Sequence, residues 1–268
     1  MKLKVLRADP AGNITLFVLD PVPANQRASL AAGLMELPGL GIEQVGFRCP
    51  PSPGCDGRME MAGGEFCGNA TRAYGQLISR EMGGAGRVRL EVSGCDHPVT
   101  VITDLAAGTA RTEMPLPLYA KNVDVGGADR VLVHLGGIAH LVAEGVGPGL
   151  DFFERAEPFL KNIPGLDAYG VIFLNDGRLT PLVKVPAAGS LVWEGSCGSG
   201  SLAAAVTQSL NAPDGRFVRD YVQPAGTVQA GVVRERGQVT EAWIGGPVSL
   251  GEAFELTQET SNTERDVI

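Results

Sequence analysis

The sequence predicts an α+β fold of two matching, strand-rich halves, each with one helix that begins at a cysteine. Three observations predict it. Cys67 and Cys197 lie 130 positions apart in the same small context: an apolar run, a Gly-rich turn, then a helical pattern. The first reads Met-Glu-Met-Ala-Gly-Gly-Glu-Phe-Cys67-Gly-Asn-Ala-Thr-Arg-Ala-Tyr, and the second Ser-Leu-Val-Trp-Glu-Gly-Ser-Cys197-Gly-Ser-Gly-Ser-Leu-Ala-Ala-Ala. Short apolar runs bounded by turn residues recur along both halves, as strands do. The 37 glycines among 268 residues supply the tight turns that such strands need.

Taken in order, Leu3–Ala8 and Ile14–Leu19 read as two strands around the turn Asp9-Pro-Ala-Gly-Asn13. A helix follows from Asn25, which is suited to cap it, with Ala28, Leu30, Ala31, Leu34 and Leu37 as its buried face. Gln44–Arg48 and Arg58–Ala62 are strands separated by Cys-Pro-Pro-Ser-Pro-Gly. The helix after Cys67 runs to about Met82, where Gly83-Gly-Ala-Gly ends it. Arg87–Ser93, Val99–Thr103 and Ala110–Met114 complete the first half. Two prolines in Met114-Pro-Leu-Pro-Leu-Tyr interrupt any regular element, so the expected lobes are 1–115 and 116–268, the last residues packing back on the first lobe.

The second half repeats the plan. Strands are expected near Arg130–Leu135 and Ile138–Ala143, a helix over Phe152–Leu160, and strands at Gly170–Leu174, Leu182–Val185 and Leu191–Trp193. The Cys197 helix comes next, then strands at Val228–Arg234, Val239–Ile244 and Gly246–Leu250. Thr257–Ile268 is polar and expected to fray.

Composition excludes several classes. Hydrophobic content of 44% with 19% charged residues is that of a soluble globular chain. A net charge of −8 with no basic cluster argues against a nucleic-acid partner. No apolar stretch approaches the length of a membrane span, and the start lacks the continuous apolar core of a signal peptide. Five cysteines at irregular spacing fit free thiols in the cytoplasm better than a disulfide framework. Cys49 and Cys55 have no histidine between them, and His97, His134 and His140 follow no ligand spacing, so no metal is expected. No lysine sits in a recognisable cofactor setting, and Gly198-Ser-Gly lacks the lysine of a phosphate loop, so no cofactor is expected either.

The two cysteines suit one chemistry. A thiol at a helix start meets unpaired N–H groups and the positive end of the helix dipole, which favour the thiolate. Two such thiols flanking one carbon form a base and an acid on opposite faces, the apparatus for inverting a stereocentre by moving one proton. The backbone N–H groups of Gly68, Asn69, Gly198 and Ser199 form an expected cradle for a substrate carboxylate. Glycine at Gly68 and Gly198 is expected to keep that backbone open to the ligand.

These segments resemble the diaminopimelate-epimerase-like superfamily, and within it the cofactor-independent histidine racemases of opine metallophore biosynthesis. The resemblance is carried by Asp9-Pro-Ala-Gly-Asn13-Ile-Thr, Glu43-Gln-Val-Gly-Phe47, Gly64-Glu-Phe-Cys67-Gly-Asn-Ala-Thr and Val92-Ser-Gly-Cys95. Later come Val185-Pro-Ala-Ala-Gly-Ser-Leu-Val-Trp-Glu-Gly-Ser-Cys197-Gly-Ser-Gly and Gln223-Pro-Ala-Gly. It implies two pseudo-symmetric lobes, each a barrel-like sheet around a central helix, a homodimer, and a small amino-acid substrate. It implies Cys67 and Cys197 as the catalytic pair, with Asn13 facing the substrate. Glu43 is placed to accept from an imidazole N–H or the substrate ammonium; Glu65 or Glu194 to position the ammonium, with Glu194 favoured because the branch motif includes it.

The sequence departs from diaminopimelate epimerase itself. That family carries a Glu-Arg pair before its second cysteine, whereas Trp193-Glu194-Gly195-Ser196 leads here directly into Cys197 with no arginine. Its second-lobe asparagines have no clear counterpart around Tyr169-Gly170 or Pro181-Leu182. Histidine is therefore the expected substrate, L-histidine becoming D-histidine. Diaminopimelate or another amino acid is the alternative. A hydroxyproline dehydratase would replace the second cysteine, and a cysteine-nucleophile hydrolase would need a histidine beside one thiol. A non-catalytic anion-binding module is the remaining alternative.

Overall fold

Each half of the chain repeats the same order of pairings around a buried helix. The structure, a computed structural model, describes residues 2–257; the expected polar tail at 258–268 lies outside the described residues. Strands β1 (Lys2–Asp9) and β2 (Thr15–Val18) pair antiparallel; helix α1 (Ala24–Met35) then crosses to β3 (Gln44–Cys49), parallel to β2. β4 (Gly57–Met61) pairs antiparallel with β3, and helix α2 (Gly68–Glu81) crosses to β5 (Arg87–Val92), parallel to β4. β6 (Val99–Asp104) and β7 (Thr109–Glu113) continue antiparallel, and β8 (Tyr119–Asp124) leaves this half.

The second half matches it pairing for pairing. β9 (Asp129–His134) and β10 (Ile138–Glu144) are antiparallel, and α3 (Leu150–Leu160) crosses to β11 (Ala168–Asn175), parallel to β10. β12 (Arg178–Val185) is antiparallel to β11 and carries one extra edge strand, β13 (Ser190–Trp193), that the first half lacks. Helix α4 (Gly198–Ser209) crosses to β14 (Gly215–Val222), which meets β12 in parallel at Val222 and Arg178. β15 (Thr227–Glu235) and β16 (Gln238–Pro247) follow antiparallel, and β17 (Ser249–Thr257) ends the described chain.

Two features join the halves into one sheet. β7 and β16, equivalent strands, pair antiparallel from Trp243 opposite Glu113 to Pro247 opposite Thr109. The closing strands are exchanged: β8 pairs with β9 of the second half, and β17 pairs with β1 of the first. Four apolar cores result. One surrounds α2, with Met59, Leu90 and Val101 among its members; another surrounds α4, with Ile172, Val228 and Ile244. α1 packs an outer core with Leu16 and Phe47, and α3 another with Leu141 and Phe173. Gly75 shows how tightly α2 is held, since a Cβ there would lie 2.5 Å from Val101 Cγ1.

The expected fold class holds, with local corrections. Strands β8 and β14 and most of β17 are absent from the expected set. Along β14 only Tyr221 is fully buried, so Gly-Arg-Phe-Val-Arg-Asp-Tyr-Val never shows the alternation that marks a half-buried strand. Asn25 does not cap α1: the helix starts one residue earlier, with Pro23 at the cap and no side-chain cap bond. Proline's fixed φ prepares that start without a polar side chain. Ala28 is exposed, whereas Leu30, Ala31 and Leu34 are buried as expected.

Candidate active site

Cys67 and Cys197 are the N-caps of the two central helices, in the same backbone conformation. Cys67 has φ −123° and ψ 108°, and Cys197 has φ −125° and ψ 109°. Each sulfur accepts from the N–H three residues on, Ala70 or Gly200, at 3.4 Å. Each cysteine carbonyl accepts from the hydroxyl four residues on, Thr71 or Ser201, at 2.8 Å. A sulfur is a weaker cap acceptor than a hydroxyl oxygen, so its use at both helix starts costs some stability against serine.

The two helix starts converge. A Cβ on Gly68 would lie 2.6 Å from Met114 Sδ and 2.8 Å from Ile244 Cδ1. One on Gly198 would lie 2.6 Å from the same Ile244 Cδ1 and 3.7 Å from Asn69 Oδ1. Close packing of two helix ends around one side chain therefore accounts for both glycines, a different cause from the expected access for a ligand. The first N–H groups of both helices, with no intrahelical acceptor, are thereby brought to one place.

Side chains from both halves gather there. Asn13, at the end of the β1–β2 turn, donates from Nδ2 to Glu43 Oε2 at 3.0 Å, and the Cys67 thiol lies 3.9 Å from its Oδ1. Glu194 reaches the Cys197 thiol and feels the charge of Glu43. Ser199 Oγ lies 3.4 Å from Cys197 Sγ and 2.8 Å from Nε2 of the buried His140. Gln223 holds the second cysteine from behind: its Oε1 accepts from the Cys197 N–H at 2.7 Å, and its Nε2 donates to Ser201 Oγ at 2.8 Å. The Asn13 turn and the Gln223 turn touch directly, since a Cβ on Gly12 would lie 2.3 Å from that of Ala225. Glu65 lies on the exposed side of the Cys67 turn, where its charge still reaches the thiol.

Electrostatics correct one expectation. Burial pushes the Cys67 thiol up to about 12, against the lowering effect of the Ala70 and Asn69 N–H groups, and the charges of Glu65 and Glu194 add to the rise. Burial raises Cys197 well above its ordinary value, and Glu194 adds to it. Removal from water thus outweighs the helix terminus, and both thiols are held protonated in the ligand-free protein. Burial also raises Glu43, against the hydrogen bond from Asn13, and raises Glu194. A cation entering between them would reverse that trend by restoring charge balance.

The model of the family described as "Histidine racemase CntK N-terminal domain" matches residues 2–254. The chain belongs to the histidine racemase family. It is an isomerase of the racemase type. A histidine racemase of Fusobacterium nucleatum subsp. nucleatum is 29% identical over 221 residues, covering 75% of this chain and 78% of the relative. The histidine racemase of Staphylococcus aureus (strain Mu50) is 27% identical over 233 residues, covering 82% and 85%. Among solved structures, the Bacillus anthracis phenazine biosynthesis protein of the PhzF family superposes with a TM-score of 0.69 at 15% identity, covering 96% of this chain and 100% of that one. That likeness is one of fold.

Cys67, Cys197, Asn13, Glu43, Asn69, Glu194, Gly68, Gly198 and Ser199 are thus brought together, whereas Cys49, Cys55 and Cys95 take no part in these contacts. Among the described residues no group of three or more His, Cys, Asp or Glu side chains could hold a metal ion, and no helix is long and apolar enough to cross a membrane. A groove of about 430 Å³ is lined by Arg111, Arg216 and Trp243 among others, and by neither cysteine. Sequence reasoning passed over three residues. His140 enters the sequence reading only as a histidine without ligand spacing, and Gln223 has no role there despite lying in a resembling block. Arg72 was unremarked, although a charged residue inside a buried helical pattern is itself a signal.

Proposed function

We propose that the chain racemises histidine without a cofactor, Cys67 and Cys197 working as base and acid on opposite faces of the α-carbon. The observation that carries this reading is the pair of matching cysteine caps at converging helix starts. One sulfur, as thiolate, takes the α-proton, and the electron pair left on carbon spreads into the carboxylate. The N–H groups of Gly68, Asn69, Gly198 and Ser199 stabilise the charge that grows there. The other sulfur's proton is delivered to the opposite face, giving the enantiomer, and the thiolate passes to that sulfur. Roles reverse for the opposite enantiomer, and proton exchange between the two sulfurs through solvent restores the first form.

The substrate ammonium would sit against Glu194 and Glu43, returning both to the ionised form. The side chain of histidine needs one or two hydrogen bonds, which Glu43 is positioned to offer; Phe47 is fully buried in the α1 core and supports the strand behind Glu43. A second amino-acid end, as in diaminopimelate, would meet no arginine clamp in the Trp193–Cys197 segment, and burying it unpaired costs several kcal/mol. As the resemblance implies, the lobes 1–115 and 116–268 close on one substrate in a cytoplasmic homodimer, and the D-histidine goes to opine metallophore synthesis.

The test is incubation of L-histidine with purified protein in D2O, with no added cofactor. Gain of one α-deuterium with loss of optical rotation is the expected result. Failure to exchange histidine, or a clear preference for diaminopimelate in a panel of amino acids, overturns the substrate assignment.

A further inference from the structure

Strand β16 turns two different faces to its surroundings. Ile244 points inward, where its Cδ1 stands between the two cysteine helix starts; Trp243, one residue back, points the other way, into the groove. A Cβ on Gly231, opposite Trp243 on β15, would lie 2.1 Å from Trp243 Cζ2, so the indole lies across that strand. Arg111 of β7 and Arg216 of β14 stack on this one ring, their guanidinium carbons 5.3 and 4.9 Å from its centroid. One arginine belongs to the first half of the chain and the other to the second, and the β7–β16 pairing brings them together.

The groove of about 430 Å³ over this ring is the size of a small-molecule site, and Arg87 is a third cation in its lining. Its acids are Glu113, whose Oε2 accepts from the Thr100 N–H at 2.8 Å, and Glu241. Two like charges against one ring repel each other, and attraction to the ring offsets only part of that. The chain carries a net charge of −8, yet among the described residues no carboxylate pairs with Arg111 or Arg216. The Trp243 Nε1, buried at the same place, has no acceptor.

We propose that the groove is a second ligand site, taking a small molecule that carries two or more anionic groups. A planar guanidinium fork matches carboxylate and phosphate oxygens, two N–H groups to two oxygens. Arg111 and Arg216 supply one such fork from each half, and the indole beneath steadies both. The ligand supplies the missing counter-charge and ties the halves together on the sheet face opposite Ile244. Met114 is a shared wall: it lines the groove, and its Sδ would lie 2.6 Å from a Cβ on Gly68, at the start of α2. The site thus borders a cysteine-headed helix while using neither thiol.

The experiment uses the full chain and two probes, pyrophosphate for the phosphate class and citrate for the carboxylate class. The chain has two tryptophans, so Trp193→Phe leaves Trp243 as the reporter. At least one probe should change Trp243 emission saturably, with half-saturation below about 1 mM, and sodium chloride at equal ionic strength should not. The tighter probe identifies the anion chemistry that the groove prefers. In titration calorimetry, Arg111→Gln and Arg216→Gln should each weaken that binding at least about tenfold. Both arginines are exposed, so each variant should fold, and either one suffices as a test. Saturating L-histidine should leave the probe bound, because the carboxylate cradle between the helix starts is a separate place. No saturable emission change with either probe overturns the proposal, as does a response that sodium chloride reproduces. Binding that survives both substitutions, or that histidine displaces, overturns it equally by placing the anion elsewhere.

Discussion

Glu43 decides which way Asn13 points. A carboxylate only accepts, so the Asn13 amide nitrogen must face Glu43 Oε2, at 3.0 Å, and its oxygen is turned to the Cys67 thiol, at 3.9 Å. A side chain 30 positions away thereby sets the polarity of the group beside the first sulfur.

Replacing Glu43 by alanine should free that amide. We expect kcat/KM for histidine to fall at least tenfold, about 1.4 kcal/mol, with little change in the thermal midpoint, since Glu43 is exposed. Steady-state kinetics beside a melting curve check this; unchanged kinetics would remove Glu43 from the site.

Serine at either cysteine should abolish racemisation while sparing the fold. Serine is among the best N-caps, so Cys67→Ser and Cys197→Ser keep or improve the helix starts. Its hydroxyl is far less acidic than a thiol, so each variant should lose at least about three orders of magnitude in kcat, one partner of the proton relay being gone. Polarimetry reads the loss, and circular dichroism reads the retained fold.

Gly198 and Ile244 should prove coupled. Alanine at Gly198 places a methyl group 2.6 Å from Ile244 Cδ1. Overpacking of this kind costs about 1–3 kcal/mol, and Ile244→Val removes that very atom at a cost of about 0.5–1.5 kcal/mol. The double variant should be more stable than the sum of the two losses allows. Additive losses in denaturant titrations would show that the helix starts do not meet as described.

Acid should destabilise the protein through His140. Burial holds its imidazole neutral down to about 3, whereas an unfolded histidine protonates near its ordinary 6.5. Between those values the unfolded chain binds the extra proton, so stability is lost as pH falls from 6.5 toward 3, with a limiting slope of about 1.4 kcal/mol per pH unit. The raised Glu43 and Glu194 act in the opposite sense in the carboxylate range. The measurement is therefore the pH dependence of unfolding in wild type against His140→Asn, whose slope should be the shallower.

Much of the site was legible because its chemistry is local. A cysteine between a Gly-rich turn and a helix announces its cap, and the repetition of that pattern announces a pair. Elements with a buried face, such as β5 or β10, were legible for the same reason. What escaped depended on partners remote in sequence. His140 lies 59 positions from Ser199, and nothing beside it in the chain marks that contact. The acidity of the thiols was misjudged because a helix start is visible in a sequence whereas the depth of its burial is not. β14 and β17 escaped because their faces are largely exposed, so hydrogen bonding to a neighbour, rather than apolar alternation, defines them.

The exchange of β8 and β17 has a consequence for how such a chain is assembled. A fragment ending at Glu113 would leave β1 without β17 and β7 without β16, two open edges on one small sheet. Its complement would leave β16 bare and would carry β17 with nothing to pair against. Neither piece is self-sufficient, but each is the template for the other, so separately made fragments should find one another and restore the sheet. Joining them in one polypeptide replaces an encounter that depends on dilution with one set by tether length, and unfolding of either half must breach edges shared with the other.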